Sequence, residues 1–445
     1  MRRPSPAEVL RALAEGDAAL VGRLLAVADR SDVAVHLVGG PVRDLLLGRP
    51  VRDVDLLVEP RDGRDAAALA REAATPEMKL VSHDRFRTVA LRSESGSVDL
   101  ATVRKESYAH EGALPTVESG TLEEDLRRRD FTVNALALPL SAAARSARSG
   151  IVGVERSLED LQAKRLRVLH PRSFHDDPTR ALRAARFGPR LGFTLSRDSR
   201  RALRDALRDG AFGRVSGDRW RRELMKLFED CRGGLDPARA LRLLDEWHVL
   251  GALEPGLSFD RSTASALRRL GRAVADPPWP ARRWRPWVSG LAIWLEPLDM
   301  ALRRRSLRRF AIRGEHADHV RDFSKQRKEW LAVLEKARGR GPIDAVLIGA
   351  DEHQLHALHA VAPPTLRRRI VRWAGEDRGR RLPIDGRDLV ALGLEGPAVG
   401  RALLRIRTAV LDGAVGNREE ALALARELSR RRTRRTGEKK PKARR

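Results

Sequence analysis

The sequence predicts an α+β fold, in which a small α/β head with a mixed sheet precedes a long all-helical region. Short apolar runs bounded by Gly and Pro indicate strands at residues 33–38, 54–58, 88–91 and 98–102, with a helix over 64–73. After about residue 155 strand signals nearly vanish, and Leu, Ala and Arg recur at three- and four-residue spacing. We therefore expect one sheet-containing domain followed by a helical extension.

Clusters of Gly and Pro divide the chain into six segments. An amphipathic helix is expected over residues 7–30, in an N-terminal segment that precedes the head. The last segment is rich in Lys and Arg and of low complexity, so we expect it to be disordered. The segments are an N-terminal helix (1–28), the head (29–150), three helical segments (151–235, 236–378 and 379–428) and the basic tail (429–445).

The charge of the 445-residue chain indicates a polyanionic partner. The formal net charge is +26, and residues 429–445 contribute only +9 of it, so the folded part is also basic. A field of this sign attracts nucleic acid, although a basic surface can also serve solubility alone.

The single cysteine and the hydropathy pattern bear on location. Cys231 is alone, so neither an internal disulfide nor a Cys-based zinc site is possible, and a reducing, cytoplasmic location is expected. The N-terminus lacks the pattern of a signal peptide, and no apolar run approaches the length of a membrane span. We therefore expect no membrane partner.

The stretch LVGGPVRDLLLGRPVRDVDLLVE, residues 37–59, contains the strongest chemical motif. Asp53 and Asp55 are two apart on a predicted strand, so both carboxylates point to one face. Such a pair is costly unless a cation lies between the charges. Mg²⁺ prefers oxygen ligands and often joins carboxylates to substrate phosphates. The motif therefore predicts a magnesium site, whereas an isolated D-x-D is more often a surface turn.

Residues around this motif are candidates for binding phosphates. Gly39 and Gly40 end the preceding strand, where backbone N–H groups can approach a phosphate without a Cβ in the way. Arg43 follows and could offset the charge of a triphosphate. On the strand 98–102, Asp99 is the candidate third metal carboxylate, and Arg104, which follows it, could reach a phosphate.

A second motif is RRRDFTVNAL, residues 127–136. Arg129, Asp130 and Asn134 carry groups that can hydrogen-bond a ribose or a triphosphate. Taken alone, the stretch is more typical of a charged helix start capped by Asp130.

A third motif is DDPTRALRAARFGPRLGF, residues 176–193. Asp177 and Arg180 are three apart, and we expect them to share a helix face. Arg183 lies one turn further and is also a candidate for binding the nucleotide. Cytosine and adenine present an amine donor beside a ring nitrogen acceptor, which a carboxylate and a guanidinium could pair with. Uracil and guanine carry a carbonyl in place of that amine. The alternative is an ordinary surface salt bridge.

These motifs, in this order and spacing, resemble the class II tRNA nucleotidyltransferase (CCA-adding enzyme) and bacterial poly(A) polymerase family. Further similar stretches are VSGDRWRREL (215–224) and PIDGRDLVALGLEGPAVGRALL (383–404). The resemblance implies a nucleotidyltransferase head, a neck that recognises the base, a body, and a tail that binds tRNA. It also implies Mg²⁺ bound by Asp53, Asp55 and Asp99, with CTP and ATP as substrates. Arg129, Asp130 and Asn134 would contact the nucleotide, and Asp177 with Arg180 would read its base.

The product follows less directly. Residues 105–126 are compact, whereas poly(A) polymerases of this type tend to carry an insertion there. The resemblance therefore implies addition of C, C and A to tRNA. An enzyme that adds only A or only CC, a poly(A) polymerase, and an RNA-binding protein with an inactive head stay open as alternatives.

Two aromatic features of the body remain. His353, His356 and His359 are three apart on a predicted helix, and we expect a packing or solvated face rather than a metal site. Four tryptophans, Trp279, Trp284, Trp287 and Trp294, are expected to fill the core of the body, although stacking on RNA is possible.

Overall fold

The computed structural model describes residues 3–83, 87–107, 116–280 and 283–437. The chain forms two compact units, of which the first comprises Met1–Glu223 with Leu243–Pro255 and the second Leu224–Arg242 with Gly256–Arg445. Over the described ranges, no helix is both long enough and apolar enough to cross a bilayer. The division confirms that the sheet-containing part precedes a helical part.

A mixed sheet forms the centre of the first unit, with strands in the order β3-β4-β5-β2-β1-β8-β9. Strands β2 and β5 pair in parallel, and the other neighbours are antiparallel. The strands of the whole chain are β1 (Ala34–Val38), β2 (Asp55–Glu59), β3 (Lys79–His83), β4 (Thr88–Arg92), β5 (Ser97–Thr102), β6 (Arg104–Ser107), β7 (Thr116–Ser119), β8 (Leu136–Pro139), β9 (Val152–Gly153), β10 (Arg165–Leu166) and β11 (Thr194–Leu195).

Helices accompany and follow this sheet. Up to residue 255 they are α1 (Pro6–Ala12), α2 (Glu15–Arg30), α3 (Gly40–Leu46), α4 (Ala66–Ala73), α5 (Leu122–Arg127), α6 (Ala142–Ala147), α7 (Ser157–Gln162), α8 (Ser173–Asp176), α9 (Arg180–Leu191), α10 (Arg197–Arg208), α11 (Gly217–Glu229), α12 (Pro237–Glu246) and α13 (Val249–Leu253). The predicted strands and the helix at 64–73 are confirmed to within a few residues. One addition is the small parallel pair β10–β11 inside the segment expected to be helical.

The N-terminal helix expected over residues 7–30 is two helices, because Leu13 and Ala14 adopt extended backbone conformations. The break lets the start of α2 approach the β4–β5 turn closely. A β-carbon on Gly16 would lie 2.1 Å from the Ser95 carbonyl oxygen, and Asp17 accepts a hydrogen bond of 2.8 Å from the Ser97 N–H. This close packing at the break is a tertiary contact, which the local sequence pattern does not show.

The second unit is helical. Its helices beyond residue 255 are α14 (Ala264–Ala275), α15 (Pro286–Leu295), α16 (Met300–Arg309), α17 (Gly314–Lys336), α18 (Gly341–Leu347), α19 (Glu352–Val361), α20 (Pro364–Arg372), α21 (Gly386–Ala391), α22 (Pro397–Leu411) and α23 (Arg418–Gly437). Helix α23 extends to Gly437 and so includes the first residues of the basic tail, for which disorder stays a prediction. Residues 438–445 lie outside the described part of the chain.

A buried ion pair joins two apolar cores of this unit. One core surrounds Trp373, and the other lies between α21, α22 and α23. Arg407 on α22 donates two hydrogen bonds, of 2.8 and 2.9 Å, to the carboxylate of Asp344 on α18. The indole N–H of Trp373 donates to the same carboxylate at 2.7 Å. Asp344 is 2% exposed, so these donors compensate a charge that would otherwise be costly to bury.

The histidines of α19 lie in a packed aromatic cluster, as expected. The ring of His356 stacks between Trp279 and Trp284, with centroid distances of 4.2 and 3.6 Å. Neither ring nitrogen of His356 makes a hydrogen bond within the described residues. Trp279, Trp287 and Trp294 are buried, which confirms their predicted role in the core.

Burial keeps two of these histidines neutral. It lowers the pKa of His356 to about 3, and the positive charge of Arg378 acts in the same direction. Burial likewise lowers the pKa of His359 to about 4. The carboxylate of Glu352, 3.7 Å from His356 Nε2, is already bonded to Trp279 and Arg378. The unfolded chain therefore binds protons below about pH 6.5 that the folded unit does not.

This difference predicts a loss of stability as the pH falls from 7.5 to 5. Each histidine with a strongly lowered pKa contributes about 2 kcal/mol of destabilisation over that interval. The variant His356→Phe keeps a stacked ring without the titrating group. Its unfolding free energy, measured by denaturant titration at both pH values, should fall by about 2 kcal/mol less than that of the wild type. An unchanged pH dependence in the variant would contradict the burial argument.

Candidate active site

Two of the three predicted carboxylates lie side by side at the start of neighbouring strands. Asp55 begins β2 and Asp99 lies on β5, and the two residues are partners in the parallel register. Their side chains therefore project from the same face of the sheet. Asp53 precedes the strand in a bend, so its predicted place on the strand is wrong. Both Asp53 and Asp99 are nonetheless close enough to affect the ionisation of Asp55.

Asp55 is in an unfavourable electrostatic setting. Burial, together with the negative charges of Asp99 and Asp53, raises the pKa of its carboxyl group to about 6, although the positive charge of Arg129 acts in the opposite direction. The fold therefore places a carboxylate where its charge is incompletely compensated. This is the setting that a bound cation would relieve.

Arg129 packs over the Gly-Gly turn beside these carboxylates. Gly39 has φ 76° and ψ −131°, a conformation that essentially only glycine adopts. A β-carbon on Gly39 would lie 2.6 Å from Nη1 of Arg129. Glycine is thus required both by the backbone and by the close approach of the guanidinium. The Nε of Arg129 is buried without a hydrogen-bond partner in the described part of the chain, which leaves it a donor for an anion.

The expected phosphate donors at the turn need a correction. The N–H of Gly39 donates to the carbonyl of Leu136 at 2.9 Å, because the end of β1 is still paired with β8. Gly39 therefore provides space for the Arg129 guanidinium rather than an amide donor. Gly40 begins α3 beside the side chain of Arg43.

A chain of buried hydrogen bonds joins Arg43, Asn134, Asp130 and Arg183. Arg43 donates to the amide oxygen of Asn134 at 2.5 Å, and the amide nitrogen of Asn134 donates to Asp130 at 2.9 Å. Arg183 donates from Nε to Asp130 at 2.8 Å, and its Nη2 lies 2.7 Å from the same oxygen. The sequence assigned all four residues to the nucleotide. The structure brings them together, but it binds them to one another.

The charge pairs in this network fix the ionisation of Asp130 and Arg183. Burial raises the pKa of Asp130, but Arg183 and the amide of Asn134 lower it more, and the pKa ends below its ordinary value. Burial lowers the pKa of Arg183, whereas Asp130 and Glu223 raise it above its ordinary value. Both groups are therefore charged at neutral pH.

The network of hydrogen bonds and ion pairs continues to Glu223 on α11. Nη1 of Arg183 lies 3.7 Å from Glu223, and Arg186 forms a hydrogen bond to the other oxygen of that carboxylate. The ring of Phe187 packs among four guanidinium groups at 5.3–5.7 Å, those of Arg43, Arg183, Arg186 and Arg190. Such contacts are favourable because the ring face is electronegative.

Asp177 and Arg180 do not share a helix face. Asp177 ends α8 in an extended conformation, and Arg180 begins α9, because Pro178 separates two helices where the sequence spacing predicts one. Arg180 is 6% exposed and donates to the carbonyls of Ser173 (3.2 Å) and Arg128 (3.1 Å). It thereby positions the residue that precedes Arg129.

Arg219 is the partner of Asp177. Its Nη2 lies 2.8 Å from Oδ1 of Asp177, and Thr179 donates to the same oxygen from both N and Oγ1. Neither Arg219 nor Glu223 has a role predicted from the sequence. Their spacing in α11 is a usable signal, since residues four apart lie on one helix face and two charged residues can there reach two neighbouring motifs.

Arg104 begins β6, which pairs with β7 in a separate two-stranded sheet. It is half-buried and lies two residues after the end of β5. Its predicted contact with a phosphate stays a prediction.

The predicted metal site is only partly formed. Within the described residues, no group of three or more His, Cys, Asp or Glu side chains has the geometry to bind a metal ion. The expected three-carboxylate ligand set of Asp53, Asp55 and Asp99 is therefore not assembled in advance. This fits cations such as Mg²⁺, which are often bound by one or two carboxylates together with substrate phosphates. The uncompensated charge at Asp55 shows that these residues suit a divalent cation.

The Gly39 geometry predicts the effect of a single methyl group. Gly39→Ala should lower the unfolding free energy by about 1–3 kcal/mol through backbone strain and should displace Arg129. Gly40→Ala is the matched control, because a β-carbon there meets Arg43 only at 3.5 Å and no positive φ is involved. Denaturant titration of both variants measures the difference. Equal stability of the two variants would contradict the requirement for glycine at position 39.

Comparison with known proteins finds a family model that matches the head. Residues 35–167 match the family model described as the poly A polymerase head domain. That range includes the sheet, the three carboxylates, Arg129, Asp130 and Asn134. Nucleotidyltransferases of this family generally use divalent metal ions.

Relatives and solved structures extend the similarity over the helical part. An A-adding tRNA nucleotidyltransferase of Geobacter sulfurreducens is 30% identical over 414 residues, 91% of this chain and 46% of that protein, so the chain spans less than half of that relative. A CC-adding tRNA nucleotidyltransferase of Deinococcus radiodurans is 32% identical over 391 residues, 87% of this chain and 88% of that protein. The structure of a Thermotoga maritima CCA-adding enzyme complexed with tRNA has a TM-score of 0.65 at 26% identity, covering 96% of this chain and 99% of that one. On this similarity along nearly its whole length, the chain belongs to the tRNA nucleotidyltransferase family.

Proposed function

We propose that this protein adds C, C and A to the 3′ end of tRNA, using CTP and ATP without a template. The observation that carries the proposal is the placement of Asp55 and Asp99 on adjacent strands, with Arg129 beside them over the Gly39 turn. Acidic residues and a guanidinium with an unused donor are what a nucleoside triphosphate needs for binding together with a cation.

The reaction transfers a nucleotide to a hydroxyl group. The 3′-hydroxyl of the RNA attacks the α-phosphorus of CTP or ATP, a new phosphodiester bond forms, and the bond to the β-phosphate breaks to release pyrophosphate and a proton. Asp53 and Asp55, with Asp99, would bind Mg²⁺, which would supply charge stabilisation for the attacking and leaving oxygens. Arg129 would bind and orient the phosphates from the side of the Gly39 turn.

The residues beside Asp177 would choose the base. Oxygen atoms of Asp177 would accept a hydrogen bond from the exocyclic amine of cytosine or adenine, and a guanidinium would donate to the ring nitrogen. Arg180 can do this only by leaving Ser173 and the Arg128 carbonyl, whereas Arg219 already lies beside Asp177. Uracil and guanine would place a carbonyl against the carboxylate, which is repulsive.

The similarity to partial-end enzymes supports a second candidate product. The Geobacter and Deinococcus relatives are named for adding A alone and CC alone, and the Thermotoga enzyme for adding CCA. An A-adding or CC-adding activity would use the same carboxylates and differ in when addition stops. We further propose that the protein works in the cytoplasm, where its substrate tRNA and its single cysteine, Cys231, would both be accommodated.

Three tRNA transcripts that end before CCA, after C and after CC separate these products. With Mg²⁺, CTP should extend the first by two residues and ATP should then add one, whereas UTP and GTP should fail. Asp53→Asn and Asp55→Asn should lower the rate by at least about 10³-fold while the protein stays folded, because they remove charges needed for cation binding. Gel analysis of each nucleotide alone and in combination measures this.

Other outcomes of that assay would each contradict the full reaction. A single A added only to the CC-ended transcript would indicate an A-adding enzyme, and extension that stops after CC a CC-adding one. Long A-tails on any RNA would indicate a poly(A) polymerase. No incorporation with any nucleotide would leave an RNA-binding protein with an inactive head.

Cation binding can be tested without the reaction. A ligand that binds the folded state raises its stability in proportion to the logarithm of its concentration. Millimolar Mg²⁺ with CTP should raise the melting temperature of the wild type, and the rise should be lost in Asp53→Asn and Asp55→Asn. Because each variant relieves repulsion between carboxylates, its melting temperature without Mg²⁺ should not fall. An equal Mg²⁺-dependent rise in all three proteins would contradict the assigned ligands.

A further inference from the structure

A basic groove lies along α10 in the first unit, away from the carboxylate site on the sheet. Its volume is about 460 Å³, and we call it the α10 groove. One wall is the exposed face of α10, and the other is formed by the end of α12 and the two residues that follow. The lining residues used below are Arg197, Arg200, Arg201, Arg204, Glu246 and Trp247.

The four arginines are exposed and carry uncompensated charge. They recur at spacings of three and four residues, which places them on one side of α10, while Ala202 and Ala206 are buried on the other. Across the described residues, none of the four guanidinium groups has an ion-pair or hydrogen-bond partner. Like charges at these spacings destabilise a helix, so helix stability does not explain the arrangement.

The acidic residues of α10 are engaged elsewhere. Asp198 pairs with Arg167 at 2.6 Å, Asp205 with Arg208 at 3.1 Å, and Asp209 with His175 at 3.0 Å. The groove itself contains the carboxylate of Glu246, and the balance of the lining residues is still strongly positive. The face that remains is therefore suited to an anion with several negative charges.

Hydrogen bonds connect α10 to the second motif (127–136) and to the third motif (176–193). Through Asp209 and His175 it is joined to α8, the helix that Asp177 ends. Through Asp198 and Arg167 it is joined to Asp160, which accepts a hydrogen bond of 2.8 Å from Thr132 in the segment that leads to Asn134. A ligand on the outer face of α10 would thus contact the same helix that supports the active-site segments.

The shape of the groove favours a polymer over a single small anion. From Arg197 to Arg204 the helix rises about 10 Å, which is enough to face roughly two or three phosphates of one strand. Trp247 is half-buried at the opposite wall and offers a flat apolar surface for a ribose or base. Guanidinium groups with an adjacent aromatic ring are typical of nucleic-acid backbone sites.

We propose that the α10 groove binds the phosphodiester backbone of the RNA whose 3′ end is extended. The inference rests on the proposed function for the identity of the RNA. It assigns part of the RNA affinity to Arg197, Arg200, Arg201 and Arg204, which contact neither the nucleotide nor the carboxylates. Binding there is sequence-independent and sensitive to salt.

The test compares two double variants of the full chain. Arg200→Gln/Arg204→Gln removes two charges from the groove. Arg11→Gln/Arg92→Gln removes two exposed arginines, one on α1 and one on β4, that likewise have no partner within the described residues, so it is matched in charge. Fluorescence anisotropy with a labelled tRNA transcript lacking CCA is measured from 50 to 300 mM KCl, and the affinity for CTP is measured separately.

The groove variant should bind tRNA about tenfold more weakly at low salt. Its plot of log affinity against log salt should be shallower by about 1.5, since each lost phosphate contact removes roughly 0.7–0.9 from the slope. The matched variant should keep the wild-type slope, and CTP affinity should be the same in all three proteins. Circular dichroism checks that the variants fold, and Arg197→Gln/Arg201→Gln replaces the first pair if it does not fold.

Three results would overturn the inference. They are a groove variant with wild-type tRNA affinity and slope, an equal loss in the matched variant, and a loss of CTP affinity with tRNA binding unchanged. A wild-type protein that binds no tRNA would instead contradict the proposed function. The two failures are therefore distinguishable.

Discussion

The candidate site depends on the pair formed by the buried carboxylate of Asp130 and the half-buried guanidinium of Arg183. Asp130 lies at the end of the RRRD motif and Arg183 on α9, and their contact brings a sheet-associated segment and a helix together. On one side the pair continues to Asn134 and Arg43 at the Gly-Gly turn. On the other it continues to Glu223 on α11. Because a buried carboxylate without its partner is strongly destabilising, the pair favours the packing in which these segments meet.

The fold is stabilised at this pair but not at the carboxylates a short distance away. Asp130 has its charge compensated by donors, whereas Asp55 is held against Asp53 and Asp99 with only Arg129 as a positive neighbour. The two acidic residues therefore differ in role. Asp130 positions the motifs, whereas Asp55 has a poorly compensated negative charge that substrate and cation can compensate. Clusters with such charges are typical of functional sites.

How far the sequence predicted this site depends on the range of the interactions. The β2 and β5 strands followed from local patterns, because strand signals are local. The proximity of Asp55 and Asp99 was expected from chemistry, since carboxylates that share a cation must lie together. The pairing of Asp177 with Arg219, and the inward direction of Arg180, did not follow. Both depend on contacts between segments about 40 or 50 residues apart, and Pro178 ends the helix that the Asp177–Arg180 spacing suggested. The motif residues were found, but their partners required the tertiary structure.

Features beyond the local sequence also account for the break in the N-terminal helix and for the incomplete set of metal ligands. The break between α1 and α2 is imposed by the approach of Gly16 to Ser95. The third carboxylate was expected as part of a ready-made ligand set, but Mg²⁺ sites are often completed by the substrate's own phosphates. A sequence shows which residues carry the chemistry. It does not show whether they are assembled before the substrate arrives.

A double-mutant cycle between Asp130 and Arg183 tests the central dependence most directly. The proteins are Asp130→Asn, Arg183→Met and the double variant, each measured for unfolding free energy and for CTP affinity. Both single variants should bind CTP weakly, and Arg183→Met should lose about 3 kcal/mol of unfolding free energy because the buried Asp130 carboxylate loses its guanidinium partner. Asp130→Asn should lose less, since Arg183 is partly exposed and keeps Glu223 as a neighbour, and the double variant should lose clearly less than the sum. Additive losses with wild-type CTP affinity in every variant would show that the pair does not position the site.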